Sequence, residues 1–317
     1  MIKKIKKRIK EFIVREIDSK MSGLSENFGH HSWDNQIAIN FQPKNFKPLL
    51  NVSNYIDGIT YIDPKSLELE TDITQYIRND SFPLPSTEDR EGYMDERHYE
   101  YWLFGLSDYL IIKKTLKRHG VNIKQGFRIY DLGCASGRVT RHFLSQEKKL
   151  ELWASDINKN HVEWVTKYLE ERINVFQNHS LPHLPCEDNY FDLIYAFSVF
   201  THIDAFETAW LLELRRILKP GGFAYLTTHS DHTWSIMKKG MPIFEALLKH
   251  PDFTSNDVKN DMPSNKMVYR WQSRESYRAN VFYDTEYIRN IWGRYFEIVE
   301  IIQEGCFYQD VVLLRKK

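Results

Sequence analysis

The stretch Arg128-Ile-Tyr-Asp-Leu-Gly-Cys-Ala-Ser-Gly137 decides the fold of this chain. Phe127 to Tyr130 is a largely apolar run that predicts a buried strand, and it ends at an acid, Asp131. A turn punctuated by Gly133 and Gly137 follows, and from Arg138 to about Lys148 the pattern becomes helical. Glycine suits such a turn because it adopts backbone angles that side chains resist and lets a ligand approach the backbone. The helix start would aim unpaired N–H groups at the turn. Strand, acid, glycine turn and helix in this order outline a site for a nucleotide-containing cofactor.

A second acid lies at a matching distance. Leu150-Glu-Leu-Trp-Ala-Ser155 reads as another strand, and Asp156 ends it, 19 positions beyond Gly137. A carboxylate there can accept hydrogen bonds from both hydroxyls of a ribose. Two such charge-assisted bonds would contribute about 1.5–3 kcal/mol each, enough to decide cofactor affinity.

At these residues the chain resembles the class I S-adenosylmethionine-dependent methyltransferases. Asp131, Gly133 and Gly137 match that family's first motif, acidic-x-Gly-x-Gly-x-Gly, with Ala135 in place of the middle glycine. Leu184-Pro-Cys-Glu-Asp-Asn-Tyr-Phe-Asp192 is similar to the loop entering the fourth strand, Leu193 to Val199 to that strand, and Leu218-Lys-Pro-Gly-Gly222 to the turn before a fifth strand, Phe223 to Thr228. The resemblance covers about residues 105–317. It implies an α/β fold with a doubly wound, seven-stranded, mostly parallel sheet, closed by a hairpin at Phe296–Ile302 and Asp310–Arg315. It implies S-adenosyl-L-methionine as cofactor, held by Asp131, Gly133, Cys134, Ala135, Ser136, Gly137, Asp156 and Ile157. Leu181 would neighbour the adenine, although Ser180 stands where the family often has an acid, and Phe197 would lie beside the methionyl arm. The rival reading, a nicotinamide dinucleotide, needs Gly-x-Gly-x-x-Gly. Here three residues part the glycines, and Asp131 would oppose a pyrophosphate.

The 317 residues suffice for a core of about 200 and an extra unit of about 100. Charge balances, with 43 basic and 43 acidic side chains, so no global field favours nucleic acid, and none is expected as partner. Three scattered cysteines and no signal-like apolar run suit the cytoplasm. Residues 1–20 place isoleucines and Phe12 at helical spacing opposite a lysine-rich face. Such a basic amphipathic helix either lies peripherally on anionic lipid at the inner face of the membrane, or packs on protein, in self-association or against its own chain. Residues 21–98 read as a loop-rich extension or lid, with a short strand at Gly58–Ile62 and a linker or lid entry at Phe82-Pro-Leu-Pro85. The core would span 99–317, beginning with a helix from Tyr99 to His119 that stops at Gly120. An insertion at 230–282 would hold a short helix and a polar loop. Asp204 with Glu207 would cap the helix Phe206–Leu218.

Methyl transfer to a hydroxyl gains from a base with a pKa near neutrality, usually histidine. His202 after the fourth strand and His229 after the fifth end strands on the ligand side, and each could instead hydrogen-bond a loop carbonyl. Tyr93, Tyr99, Tyr101 and Trp102 could line an acceptor pocket or fill core, and Arg138 would lie on a helix surface. His179, His183 and Cys186 mimic a metal spacing, yet they fall on the adenine-covering loop, so no metal site is assigned. The expected acceptor is a saccharide or another small hydroxylated metabolite, methylated on oxygen. A small-molecule N-methyltransferase and a non-catalytic cofactor-binding scaffold remain the alternatives.

Overall fold

The computed structural model describes residues 44–56, 73–169, 171–271 and 278–317. The predicted helix at 1–20 and strand at Gly58–Ile62 lie outside them. Among the described residues the strands are β1 (Arg128–Leu132), β2 (Glu151–Asp156), β3 (Ile173–Gln177), β4 (Phe191–Ala196), β5 (Leu218–Ser230), β6 (Lys266–Arg270), β7 (Ala279–Tyr283), β8 (Glu297–Cys306) and β9 (Gln309–Arg315). The helices are α1 (Thr74–Asn79), α2 (His98–Arg118), α3 (Thr140–Gln146), α4 (Lys159–Tyr168), α5 (Glu207–Ile217), α6 (Asp231–Ile236), α7 (Pro242–Leu247) and α8 (Thr285–Ile291).

Seven strands pair in the order β3-β2-β1-β4-β5-β9-β8, the first five parallel and β9 antiparallel to both neighbours. This is the doubly wound sheet the motifs imply. Its central strands are largely apolar because both faces are covered. Ile129, Leu152, Leu193 and Tyr195 pack with Leu106 and Tyr109 of α2, Phe143 of α3 and Trp164 of α4. Tyr130, Ile194, Ala224 and Leu226 face Trp210, Leu211 and Leu214 of α5 and Ile288 of α8. Consecutive residues thus alternate between two cores, as the period of two requires.

The insertion holds more sheet than its polar sequence suggests. The end of β5 runs past the core, where His229 and Ser230 pair in parallel with Phe282 and Tyr283 of β7, and β6 adds antiparallel to β7. Around these strands Trp234, Phe244, Leu247, Phe253, Tyr269 and Phe282 form a third core.

Three local readings are corrected. Phe82–Pro85 is no linker: Leu84 is fully buried, exchanges backbone hydrogen bonds with Leu49 and Leu50, and the carbonyls of Phe82 and Pro83 accept from Arg141. Asp204 does not cap α5, whose N-cap is Phe206 at φ +60° with no side-chain bond. Asp204 pairs with Arg270, while the buried Glu207 carboxylate binds Lys266 Nζ (2.6 Å) and Trp292 Nε1 (2.5 Å), tying insertion and C-terminal segment to the core. Arg138 precedes α3 instead of lying on its surface, and its guanidinium pairs with the buried Asp108 of α2 at 2.5 Å.

Candidate active site

The turn after β1 packs closely against protein neighbours. Gly133 (φ +79°) and Gly137 (φ +77°) take left-handed angles, and an added Cβ would meet Val199 Cγ2 at 2.4 Å and Leu169 Cδ1 at 2.5 Å. Both glycines are therefore needed for backbone angle and for packing against the β4 loop and the end of α4. The N–H groups of Gly133 and Cys134 both donate to the Ser155 carbonyl at 2.9 Å, which locks the turn to β2. Helix α3 begins two residues later than its sequence suggests, and its first N–H groups are taken by Gly137 and Val139 carbonyls.

Asp156 stands where the spacing places it. Its Oδ2 accepts from Ala135 N (2.8 Å) and its Oδ1 from Asn158 N (2.7 Å). Each carboxylate oxygen keeps a second lone pair, so ribose hydroxyls can be added without breaking either bond. Burial pushes its carboxyl above the ordinary range, opposed by the neighbouring His161 and these two N–H groups. Asp131 lies deeper. Burial raises its carboxyl to about 7, while the hydrogen bond from the Thr140 hydroxyl and the nearby Tyr195 hydroxyl pull the other way.

A cavity of about 1010 Å³, including its open mouth, lies beyond the carboxyl ends of β1, β2, β3 and β4, where doubly wound sheets bind their ligands. Gly133, Ala135, Asp156, Ile157 and Phe197 line it, as expected, and so does His202. Asp131, Cys134, Ser136, Gly137 and Leu181 are not on its wall. Cys134 is buried within the turn, and Ser136 points away, its hydroxyl donating to the Asp89 carbonyl (2.8 Å) and meeting His161 Nδ1 (2.9 Å). In place of Leu181, the segment after β3 offers Asn178, His179 and Ser180. Asn178 Oδ1 is buried without a hydrogen-bond partner among the described residues, an acceptor suited to an adenine amino group. The sequence reading missed Asn178, although its position just past β3 was a usable signal. It also missed Glu91, Asn158 and His161, and nothing in the sequence points from the extension to this cavity.

The two histidines part company. His202 lines the cavity, and its Nδ1 lies 2.6 Å from the Ala279 carbonyl. A carbonyl only accepts, so Nδ1 carries the proton and Nε2 keeps a lone pair. Burial lowers its pKa, opposed by the bond to that carbonyl. His229 does not line the cavity. It is 3% exposed, packed between the rings of Phe282 (5.0 Å) and Tyr308 (5.9 Å), and burial lowers its pKa to about 3. The run of β5 beyond the core carries it into the third layer, so its expected role as base finds no support in its position.

Tyr101 and Trp102 are core, and Trp102 Nε1 donates to Asp80 Oδ2 at 2.7 Å. Tyr99 is buried beside Trp102, and Tyr93 lies under the Arg138 guanidinium, 5.9 Å from ring centre. The same guanidinium lies 5.7 Å from the Phe197 ring, at the cavity's edge.

Residues 130–226 match the family described as a methyltransferase domain. Sterol 24-C-methyltransferase erg6 of Schizosaccharomyces pombe is 27% identical over 173 residues, 53% of this chain and 41% of that protein. Ubiquinone/menaquinone biosynthesis C-methyltransferase UbiE of Cupriavidus pinatubonensis is 28% identical over 129 residues, 39% of this chain and 51% of that protein. The chain thus spans 41–51% of the length of these relatives. Among solved structures, a SAM-dependent methyltransferase from Aquifex aeolicus is 15% identical, with 81% of this chain and 100% of that chain covered and a TM-score of 0.44. Sheet order, acid positions and cavity together form a Rossmann-like α/β domain with its cavity beyond the carboxyl ends of the strands. The match to the methyltransferase domain lies within it, over residues 130–226. None of the described helices is long and apolar enough to cross a membrane.

Proposed function

We propose that the protein transfers the methyl group of S-adenosylmethionine to a hydroxyl of a saccharide or similar small metabolite, with His202 as the base. The observation that carries this is the hydrogen bond from His202 Nδ1–H to the Ala279 carbonyl inside the cofactor cavity. In the neutral ring it puts the lone pair on Nε2, which has no hydrogen-bond partner among the described residues. S-adenosylmethionine, when bound, supplies an electrophilic methyl group on a sulfonium. Asp156 would hold the ribose and Asn178 Oδ1 the adenine amino group. Fixing cofactor and acceptor in line supplies about 7–11 kcal/mol of the barrier reduction. Nε2 then takes the hydroxyl proton as the oxygen bonds to carbon, a contribution of about 10²–10⁴ in rate.

The names of both relatives specify methyl transfer to carbon, and a carbon acceptor is the second reading. Incubation with S-adenosylmethionine and a panel of saccharides and hydroxylated metabolites, with the methylated atom located by NMR, separates the two. Methyl on oxygen, with His202→Gln losing most of kcat but keeping its affinity for S-adenosylhomocysteine, supports the proposal. Methyl on carbon, or full turnover in the variant, removes the hydroxyl reading.

A further inference from the structure

Beside Asp156 the cavity wall carries a second carboxylate, and it comes from the N-terminal extension. Glu91 lines the cavity with Asp156, Ile157 and Asn158, and its side chain is 53% exposed. Its Oε1 accepts from Asn158 Nδ2 at 2.6 Å. Asn158 also gives its backbone N–H to Asp156 Oδ1 at 2.7 Å, so one residue sets the spacing of the two acids. The backbone around Glu91 is fastened without help from its side chain. The Asp89 carbonyl accepts from Ser136 Oγ of the glycine turn (2.8 Å), and Arg90 donates to the carbonyls of Pro85 (2.8 Å) and Tyr93 (2.5 Å).

The second oxygen of Glu91 is left over. Oε2 lies 3.5 Å from His161 Nε2, a contact without the length of a strong bond. His161 Nδ1 lies 2.9 Å from Ser136 Oγ, whose own proton goes to Asp89. In the neutral ring Nδ1 therefore carries the proton, and Nε2 offers a lone pair that a carboxylate cannot use. Among the described residues the Glu91 carboxylate thus accepts one hydrogen bond, from Asn158, although it has sites for about four. What the site lacks is a donor, and the donor must be neutral or cationic, because two carboxylates side by side repel a phosphate. A ribose meets the need: each of its two vicinal hydroxyls has one proton to give, and the wall holds two acids to receive them.

We propose that Glu91 is a second ribose ligand, taking the proton of one hydroxyl on Oε2 while Asp156 takes that of the other, so that the extension completes the cofactor site. This rests on reading the cavity as the S-adenosylmethionine site. It also gives the extension a part in binding that its place in the sequence conceals.

The test is a cycle between protein and ligand. Calorimetry with the full chain measures S-adenosylhomocysteine and its 2′-deoxy and 3′-deoxy analogues on wild type, Glu91→Ala and Glu91→Gln. A charge-assisted bond is worth about tenfold in affinity, so Glu91→Ala should bind S-adenosylhomocysteine about tenfold more weakly. Wild type should lose as much when the hydroxyl facing Glu91 is taken from the ligand, and Glu91→Ala should lose nothing further with that analogue. Effects of the deoxy sugar that do not involve Glu91 cancel in the cycle. Equal losses from Glu91→Ala with all three ligands overturn the assignment. Glu91→Gln separates a direct contact from an indirect one. Its amide oxygen can still accept from Asn158, but its amide nitrogen accepts nothing, so it should show most of the loss seen in Glu91→Ala. Wild-type affinity in Glu91→Gln would mean that Glu91 acts only by placing Asn158, and overturns the contact. If wild type binds none of the three ligands, the cofactor reading itself fails and the assignment falls with it. Equal losses in a protein that does bind S-adenosylhomocysteine defeat the assignment alone.

Discussion

The sheet core and the N-terminal extension are built from opposite materials. The core, from β1 to β5, is a run of apolar strands joined by helices, and its residues face one of two hydrophobic layers. The extension at 44–56 and 73–97 is short of regular structure, and much of what fastens it is polar: Asp80 to Arg141 and Trp102, Asp89 to Ser136, Glu91 to Asn158. Apolar burial is non-directional and tolerates repacking. A buried ion pair is directional and fails when one partner goes. The core should therefore absorb small changes, whereas the extension should depend on single residues.

The largest effect is expected at Asp80. Its carboxylate and the Arg141 guanidinium are both fully buried, joined by two contacts at 2.7 and 3.0 Å. That partner holds the Asp80 carboxyl below its ordinary pKa against a large burial penalty. Asp80→Ala would leave a buried cation uncompensated, at a cost of about 3–5 kcal/mol in denaturant unfolding. A loss below 1 kcal/mol would show that the extension is an appendage. Gly105 offers the contrast within the core region. It sits on α2 where an added Cβ would lie 2.2 Å from the Arg138 carbonyl, and Gly105→Ala should cost about 1–3 kcal/mol by overpacking. Unchanged unfolding would mean that α2 can slide along the cofactor turn.

These two sites also mark where sequence reading succeeds and where it stops. The doubly wound sheet, the glycine turn and the placing of Asp156 after the second strand were legible because apolar runs and fixed spacings are local properties of the chain. Asp204, Glu207 and Arg138 were misread because their partners, Arg270, Trp292 with Lys266, and Asp108, lie far away in sequence. The same holds for β6 and β7, whose stability comes from docking on an overlong β5. Glu91 could not be read at all: no spacing rule connects a polar loop in an extension to Asn158 and His161.

Asp131 gives a pH-dependent form of the contrast. Its carboxyl is raised by burial to about 7, above the ordinary 3.8. Between those values the folded protein keeps a proton that the unfolded chain releases, so folding should weaken as pH rises from 4 to 7 and level off above. One proton sets the slope at no more than about 1.4 kcal/mol per pH unit. In Asp131→Asn this contribution should disappear, so the two proteins' stabilities, measured by urea unfolding, should differ in slope across that window. Parallel curves would place the Asp131 titration outside it.

The smallest effect is expected at an ion pair that links the same extension from the outside. Lys47 Nζ meets Glu88 Oε2 at 3.1 Å, with side chains 69% and 62% exposed. Solvent screens such a pair, and immobilising two long side chains offsets the attraction, so its contribution is about 0–1 kcal/mol. Lys47→Ala leaves the main-chain bond from Lys47 N to Asp89 Oδ2 in place. It should unfold within about 0.5 kcal/mol of wild type and bind S-adenosylhomocysteine equally well. Should Lys47→Ala approach the loss seen for Asp80→Ala, burial would not be what distinguishes the two pairs, and the extension would be held by its surface charge instead of by the contacts that run beneath it to the cofactor turn.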